Sequence, residues 1–312
     1  MANKEMRAVL AEKLEELMNA NENIVVIDSD LAKANGTWGL RKKFPERALD
    51  VGIAEQNMTS FAAGLASYGF VPFISSFTPF ATRRNCDQIA ISVCYAKQNV
   101  KIIGSDPGIS AELNGGTHMS FEDIAVLRSL PNIVIFEPVD NIQLEQAMDA
   151  IVKYEGPVYI RIFRKAIDDV MPEGYKFDLF KADTIKEGKD VSIFASGLMV
   201  QESLKAIELL KADGIDAELI NIHTIKPLDE EAVLASAKKT GCVVTAENHS
   251  VIGGLKSAVA ELLADKYPVP IKAIGVQDHF GEVAKMPYLK EKYKMTAKDI
   301  AEAAKASIAM KK

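Results

Sequence analysis

Residues 48–69 read ALDVGIAEQNMTSFAAGLASYG. A short apolar run, Ala48–Val51, meets a glycine, and an apolar helix pattern follows from about Glu55 to Tyr68. A buried strand feeding a helix through a tight turn has this form. The alternation extends in both directions. Upstream, Met6, Val9, Leu10, Leu14, Leu17 and Met18 fall at helical spacing, and Ile24–Ile27 is an apolar run ending in Asp28-Ser29-Asp30. Downstream, the pattern predicts strands at 71–75, 100–104, 133–136 and 158–163, with helices near 79–97, 121–130 and 141–154. Strands alternating with helices imply an α/β fold with a mainly parallel sheet covered on both faces.

The rhythm breaks in a polar stretch, 166–189, rich in turn residues and without periodicity. It reads as a linker between a domain at 1–165 and a second at 190–312. The second domain repeats the alternation, with strands at 191–195, 217–222, 242–246 and 271–276 and helices at 200–211, 230–239 and 254–263. A helix to Ala309 closes it, with Thr296 placed to accept from the free amides of its first turn.

The chain has 312 residues, enough for two domains, with 48% hydrophobic and 26% charged residues. A net charge of -6 and the lack of a basic stripe argue against nucleic acid as a partner. Cys86, Cys94 and Cys242 have no metal-like spacing and read as small buried hydrophobes of a reducing compartment. Residues 1–20 are charged and amphipathic, and no apolar run reaches membrane-spanning length. The expectation is a cytoplasmic protein without a membrane partner.

In open α/β sheets, ligands gather beyond the C-terminal ends of the strands. Four polar clusters stand there: Asp28–Asp30, Gly52–Asn57, Ser75–Phe80 and Ser105–His118. Taken singly they are weak. Glu55 reads as an acid complementing a helix dipole, Phe77 and Phe80 as core, and His118, near Gly115-Gly116, as either an acid/base or a surface histidine.

Taken together they resemble a known family. DVGIAEQNMTSFAAGLASYG (50–69), FISSFTPFATRRNCDQI (73–89), NGGTHMSFEDIAVLRSLPNIVIFEP (114–138) and GPVYIRIFR (156–164) occur in the order and spacing of the pyrimidine-binding domain of transketolases. ENHSVIGGLKSAVAELL (247–263) is similar to their C-terminal domain. The diphosphate-binding domain of the family has no counterpart in this sequence, so the chain resembles the C-terminal subunit of a split transketolase.

The resemblance implies a site residue by residue. Glu55 matches the glutamate that bonds the pyrimidine ring of thiamine diphosphate, favouring the imino tautomer that takes the thiazolium proton. That glutamate must be able to donate a proton, which burial favours. Phe77 and Phe80 match aromatics packed on the ring, and Asp30 and Leu31 match residues lining the cofactor. Where the larger transketolases carry a further tyrosine, this chain has Arg83. His118 matches a histidine beside the reactive carbon, suited to bond a substrate hydroxyl. Arg7 and Arg164 match arginines that grip the sugar phosphate. Here the chain departs from the family: Ala34 replaces a serine, Asp106 a histidine and Asn114 an aspartate. Asp106 would repel a phosphate dianion, so the usual phosphorylated substrate is not assured. Arg84 and Arg128 resemble phosphate-facing arginines of deoxyxylulose-phosphate synthases and are held as reserve substrate ligands.

The resemblance further implies a separate diphosphate-binding partner subunit that carries Mg2+ or Ca2+, with no metal ligand in this chain, and assembly as a dimer of heterodimers acting on sugars. The rival readings are a deoxyxylulose-phosphate synthase-like or 2-oxo acid dehydrogenase beta-like subunit, and a regulatory homologue without activity. His223, His249 and His279 read as structural, Trp38 as part of an interface, and the C-terminal domain as an assembly element.

Overall fold

The computed structural model describes residues 4–311. Two sheets organise the chain. The first contains β1 (Ile24–Asp28), β2 (Ala48–Asp50), β3 (Val71–Phe77), β4 (Lys101–Ser105), β5 (Val134–Phe136) and β6 (Val158–Ile162). The second contains β7 (Asp183–Lys186), β8 (Val191–Ala195), β9 (Ala217–Asn221), β11 (Val243–Ser250) and β12 (Ile271–Val276), while β10 (Thr224–Lys226) returns to the first. The strand orders are β10-β5-β6-β4-β3-β1-β2 and β12-β11-β8-β9-β7. All pairings are parallel except β10 on β5 and β7 on β9, the two antiparallel edges.

Strands β1, β4, β6, β8 and β9 are buried along their whole length, as strands are when helices cover both faces. Helix Met6–Ala20 packs on helix Asn141–Lys153 on one face of the first sheet. Helix Glu55–Ser67 lies against β3. Thr296 caps helix Ala297–Ile308 through a capping box with Asp299. No helix among the described residues is long and apolar enough to cross a membrane.

Several segments differ from the pattern-based expectation, strand β10 at Thr224–Lys226 among them. Residues 79–97 do not form one helix. They divide into Thr78–Ala81, Cys86–Gln88 and a π-helical turn at Ile89–Tyr95. Side chains compete with the backbone at the break: Thr82 Oγ1 donates to the Thr78 carbonyl at 2.7 Å, and buried Asn85 reaches across to Thr59 Oγ1 at 2.7 Å. The polar stretch 166–189 supplies edge strand β7, whose alternating half-exposed pattern and lysine suit an edge. A short helix, Met286–Lys292, starts at a proline-bearing first turn.

The halves are joined by more than the linker. Strand β10, from the second half, closes the edge of the first sheet. Arg161 of β6 is fully buried and donates to Asp123 at 2.7 Å, to Glu137 at 2.5 Å and to the Asn248 carbonyl at 2.7 Å. Ser196 donates to the other Glu137 oxygen at 2.8 Å, and Tyr159 to Asp123 at 2.8 Å. Burial alone would push the Asp123 carboxyl up, but the Arg161 guanidinium together with His249 and the Tyr159 hydroxyl holds the carboxyl below its usual range.

Candidate functional site

The site is built at the C-terminal ends of β1, β3, β4 and β6, with the turn after β2. Ser29, just past β1, ties that turn down: its hydroxyl donates to the Gly52 carbonyl at 2.6 Å and accepts from the Ala54 amide at 2.9 Å. Glu55 is thereby fixed as the first residue of helix Glu55–Ser67, 3% exposed. Its Oε1 accepts from Arg84 Nη1 at 2.8 Å. Arg84 lies over Phe80, its guanidinium carbon 3.9 Å from the ring centroid.

Phe77 and Phe80 are half-buried, not core residues, with ring centroids 6.3 Å apart. His118 stands edge-on to both, at 5.9 and 5.2 Å, and its Nδ1 is 2.9 Å from the Thr117 hydroxyl. On the far side of Phe77 lies Arg164, at 4.6 Å from that ring. Its Nε donates to Asp106 Oδ2 at 2.5 Å and its backbone amide to Oδ1 at 3.1 Å. Those bonds hold Asp106 in the left-handed region at φ +52°, which a non-glycine residue adopts only when its surroundings fix it. Arg164 Nη1 and Arg7 Nη1 both donate to the Ala34 carbonyl, at 3.3 and 3.0 Å. An unbroken line of contacts therefore runs Glu55, Arg84, Phe80, His118, Phe77, Arg164, Arg7.

Asp30 is exposed at φ +59° just past β1, with Leu31 half-buried beside it. Asn114 is exposed in the loop that carries His118. Arg128 is not brought to the other site residues: its guanidinium pairs with Glu261 and donates to the Gly253 carbonyl at 2.9 Å, an inter-domain contact. Arg84 is at the strand-end cluster, bonded to Glu55 and placed over Phe80. Trp38 is 43% exposed, with Lys33 and Arg41 against its ring.

Sequence patterns also missed how the second domain holds the His118 loop. Gly108, at φ +57°, lies where a Cβ would be 2.2 Å from Asn248 Oδ1, and Asn248 bonds Ile109 N at 2.9 Å and Pro107 O at 2.8 Å. At the loop's other end, a Cβ on Gly116 would come within 2.3 Å of the Gly281 carbonyl. Glu112 accepts from the Met286 amide at 2.9 Å and pairs with Lys165. His249 and Glu247 are fully buried behind this contact. Burial pushes His249 down to about 4 and Glu247 up to about 7. His223 is likewise buried, pushed down to about 4 by burial.

The profile of the transketolase pyrimidine binding domain matches residues 2–169, and that of the transketolase C-terminal domain matches residues 180–300. The chain belongs to the transketolase family. It is 52% identical to the 6-deoxy-6-sulfo-D-fructose transketolase subunit SqwH of Clostridium sp. (strain MSTE9), over 96% of this chain and 93% of that one. It is 40% identical to a putative transketolase C-terminal section of Methanocaldococcus jannaschii, over 96% and 94%. Among solved structures, a split gene transketolase described as an inactive beta4 tetramer superposes with a TM-score of 0.90 at 42% identity, covering 99% of this chain and 100% of that one. The transketolase fold, a pyrimidine-type domain followed by the C-terminal domain, accounts for the two sheets.

Proposed function

We propose that this chain is the pyrimidine-binding half of a two-subunit, thiamine-diphosphate-dependent transketolase that moves a two-carbon ketol unit from a ketose to an aldose. One observation carries the reading: a buried carboxylate, Glu55, shares a planar partner with the half-exposed Phe80 at the sheet's C-terminal end. The residues fit the cofactor's aminopyrimidine, because a flat hydrogen-bonding group already stacks on Phe80 while bonded to Glu55. When bound, thiamine diphosphate supplies the carbon nucleophile and electron sink. Glu55 holds a proton between its carboxyl and the ring nitrogen. Phe77 and Phe80 orient the ring, with Asp30 and Leu31 at its border. His118 stands beside both aromatics, where it can bond a substrate hydroxyl. The diphosphate, with Mg2+ or Ca2+, falls to a partner subunit. Support comes from the relatives named as a transketolase subunit and a C-terminal section, and the assembly would be a dimer of heterodimers in the cytoplasm.

The donor we propose is a ketose ending in a sulfonate, as in the name of the 52% identical relative. Arg7 and Arg164 converge on one carbonyl, but Asp106 cancels the charge of Arg164 and Glu5 bonds Arg7. Two guanidiniums so offset suit a monoanionic sulfonate better than a phosphate of about -1.5 to -2. The test mixes this chain with a diphosphate-binding subunit, thiamine diphosphate and Mg2+, over a panel of sulfonated, phosphorylated and neutral ketoses. Turnover that needs both chains, favours the sulfonated ketose and vanishes in Glu55→Gln is expected. A formed complex without ketol transfer on any sugar refutes the reading.

A further inference from the structure

Arg84 belongs to the strand-end cluster, yet the reaction as derived gives it no task. It has three linked properties. Its Nη1 is 2.8 Å from Glu55 Oε1. Its guanidinium carbon stands 3.9 Å from the centroid of Phe80, a stacking distance. Its side chain is 44% exposed, while that of Glu55 is 4% exposed. The same planar group thus lies over the Phe80 ring and takes the hydrogen bond of the carboxylate.

An aminopyrimidine would be held by that same pair of contacts, offset stacking on an aromatic and a hydrogen bond to a carboxyl. Two planar groups cannot occupy one slot. We infer that Arg84 is a displaceable placeholder for the cofactor's ring, a positioning residue that keeps the Phe80 face and Glu55 aligned and must swing out before the ring seats. This rests on the reading of Glu55 and Phe80 as cofactor ligands. The chemistry gives the placeholder a second consequence. A carboxylate bonded to a guanidinium is an acceptor only, so proton sharing with a ring nitrogen begins when that bond opens. The exposed side of Arg84 leaves room for the swing, whereas the other cation nearby, Arg83, is already paired with Glu122.

A competitor in a binding slot lowers apparent affinity by the fraction of time the slot is open. If the slot is open a tenth of the time, removing Arg84 tightens ring binding about tenfold. The experiment titrates the full chain with the bare aminopyrimidine, lacking thiazolium and diphosphate, and follows the ligand by NMR. The variants are Arg84→Met, which keeps the stem, Arg84→Lys, which keeps the charge without the flat fork, Glu55→Gln and Phe80→Leu. Arg84→Met should bind about tenfold more tightly than the native chain and Arg84→Lys should lie between them. Glu55→Gln and Phe80→Leu should weaken binding. Unchanged or weaker binding by Arg84→Met, with Glu55→Gln and Phe80→Leu still weakened, overturns the placeholder alone. Binding indifferent to Glu55→Gln and Phe80→Leu overturns the cofactor assignment, and the placeholder falls with it, as does an absence of binding by Arg84→Met. Chemical denaturation of the Glu55→Gln, Arg84→Met and double variants supplies the independent readout. A coupling between the two sites is expected in the free chain, and strict additivity counts against the bond.

Discussion

Replacing Arg161 by methionine is the sharpest test of how the two halves are held. The guanidinium is fully buried and bonds two carboxylates and a carbonyl, at 2.7 Å to Asp123, 2.5 Å to Glu137 and 2.7 Å to Asn248 O. Methionine fills much of the stem's volume but strands two buried carboxylates together. Breaking one buried pair costs about 3–5 kcal/mol. Because Tyr159 and Ser196 still donate to the carboxylates, about 4 kcal/mol is expected at pH 7.5. Urea denaturation followed by circular dichroism measures it. The pH dependence discriminates the cause. In the native chain the Asp123 carboxyl sits below its usual range, so its contribution is present above the unfolded value and is lost only as pH falls through the folded one. In the variant the carboxyls lose their cation, and burial raises them. Their contribution is then fully present below the unfolded value, about 4, and is lost as pH rises through the folded one. The deficit must therefore shrink between pH 7.5 and pH 5. A deficit under about 1 kcal/mol, or one equal at both pH values, refutes the argument that Arg161 is held by charge.

Three further outcomes follow from the same geometry. Asp106→Asn leaves Arg164 uncancelled, so kcat/KM for a phosphorylated ketose should rise about tenfold relative to its sulfonated analogue, roughly 1.4 kcal/mol; an unchanged ratio removes Asp106 from substrate choice. Gly116→Ala sets a methyl 2.3 Å from the Gly281 carbonyl and forces the His118 loop off the second domain; kcat should fall by about 10–100-fold with cofactor affinity kept, and an unaltered kcat would show that the clasp does not position the loop. Burial holds Glu247 up at about 7, against the opposing amides of Lys256 and Leu255. Its contribution is fully present below its ordinary value and fades as pH rises through about 7, so the thermal stability of Glu247→Gln relative to the native chain should rise between about pH 5 and pH 8. A curve parallel to that of the native chain contradicts this.

The strands that sequence reveals best are those buried on both faces, because a short uninterrupted apolar run between turn residues suits a strand covered by helices on either side. The two antiparallel edges were illegible because they lack such a run. Asp183–Lys186 and Thr224–Lys226 are short and partly exposed, and nothing local tells them from a polar connection. The helix expected across 79–97 is broken where Thr82 bonds back to the Thr78 carbonyl and Asn85 reaches Thr59, a partner that only the tertiary fold supplies. At the site, Arg84 reads from sequence only as a reserve substrate ligand. Its bond to Glu55, 29 residues back, exists only because the segments after β2 and β3 are brought together at one end of the sheet. Arg161 was the missed signal with a mechanism: a charge inside a fully buried run needs buried partners.

Those partners change the standing of the second domain, read from sequence as an assembly element. It touches the His118 loop at both ends, through Asn248 at Gly108 and through Gly281 at Gly116. It also gives the first sheet its β10 edge and Arg161 its third acceptor. The Asn248 and Arg161 contacts place polar groups where water is excluded, so neither can be released without leaving a buried group unsatisfied. Separating the two halves would therefore expose the edge of β5, strand Glu137 without Ser196, and free the loop that faces Phe77 and Phe80. The pyrimidine-type half and the C-terminal half behave as one unit for energetic reasons, and the loop carrying His118 is as much a product of the second half as of the first.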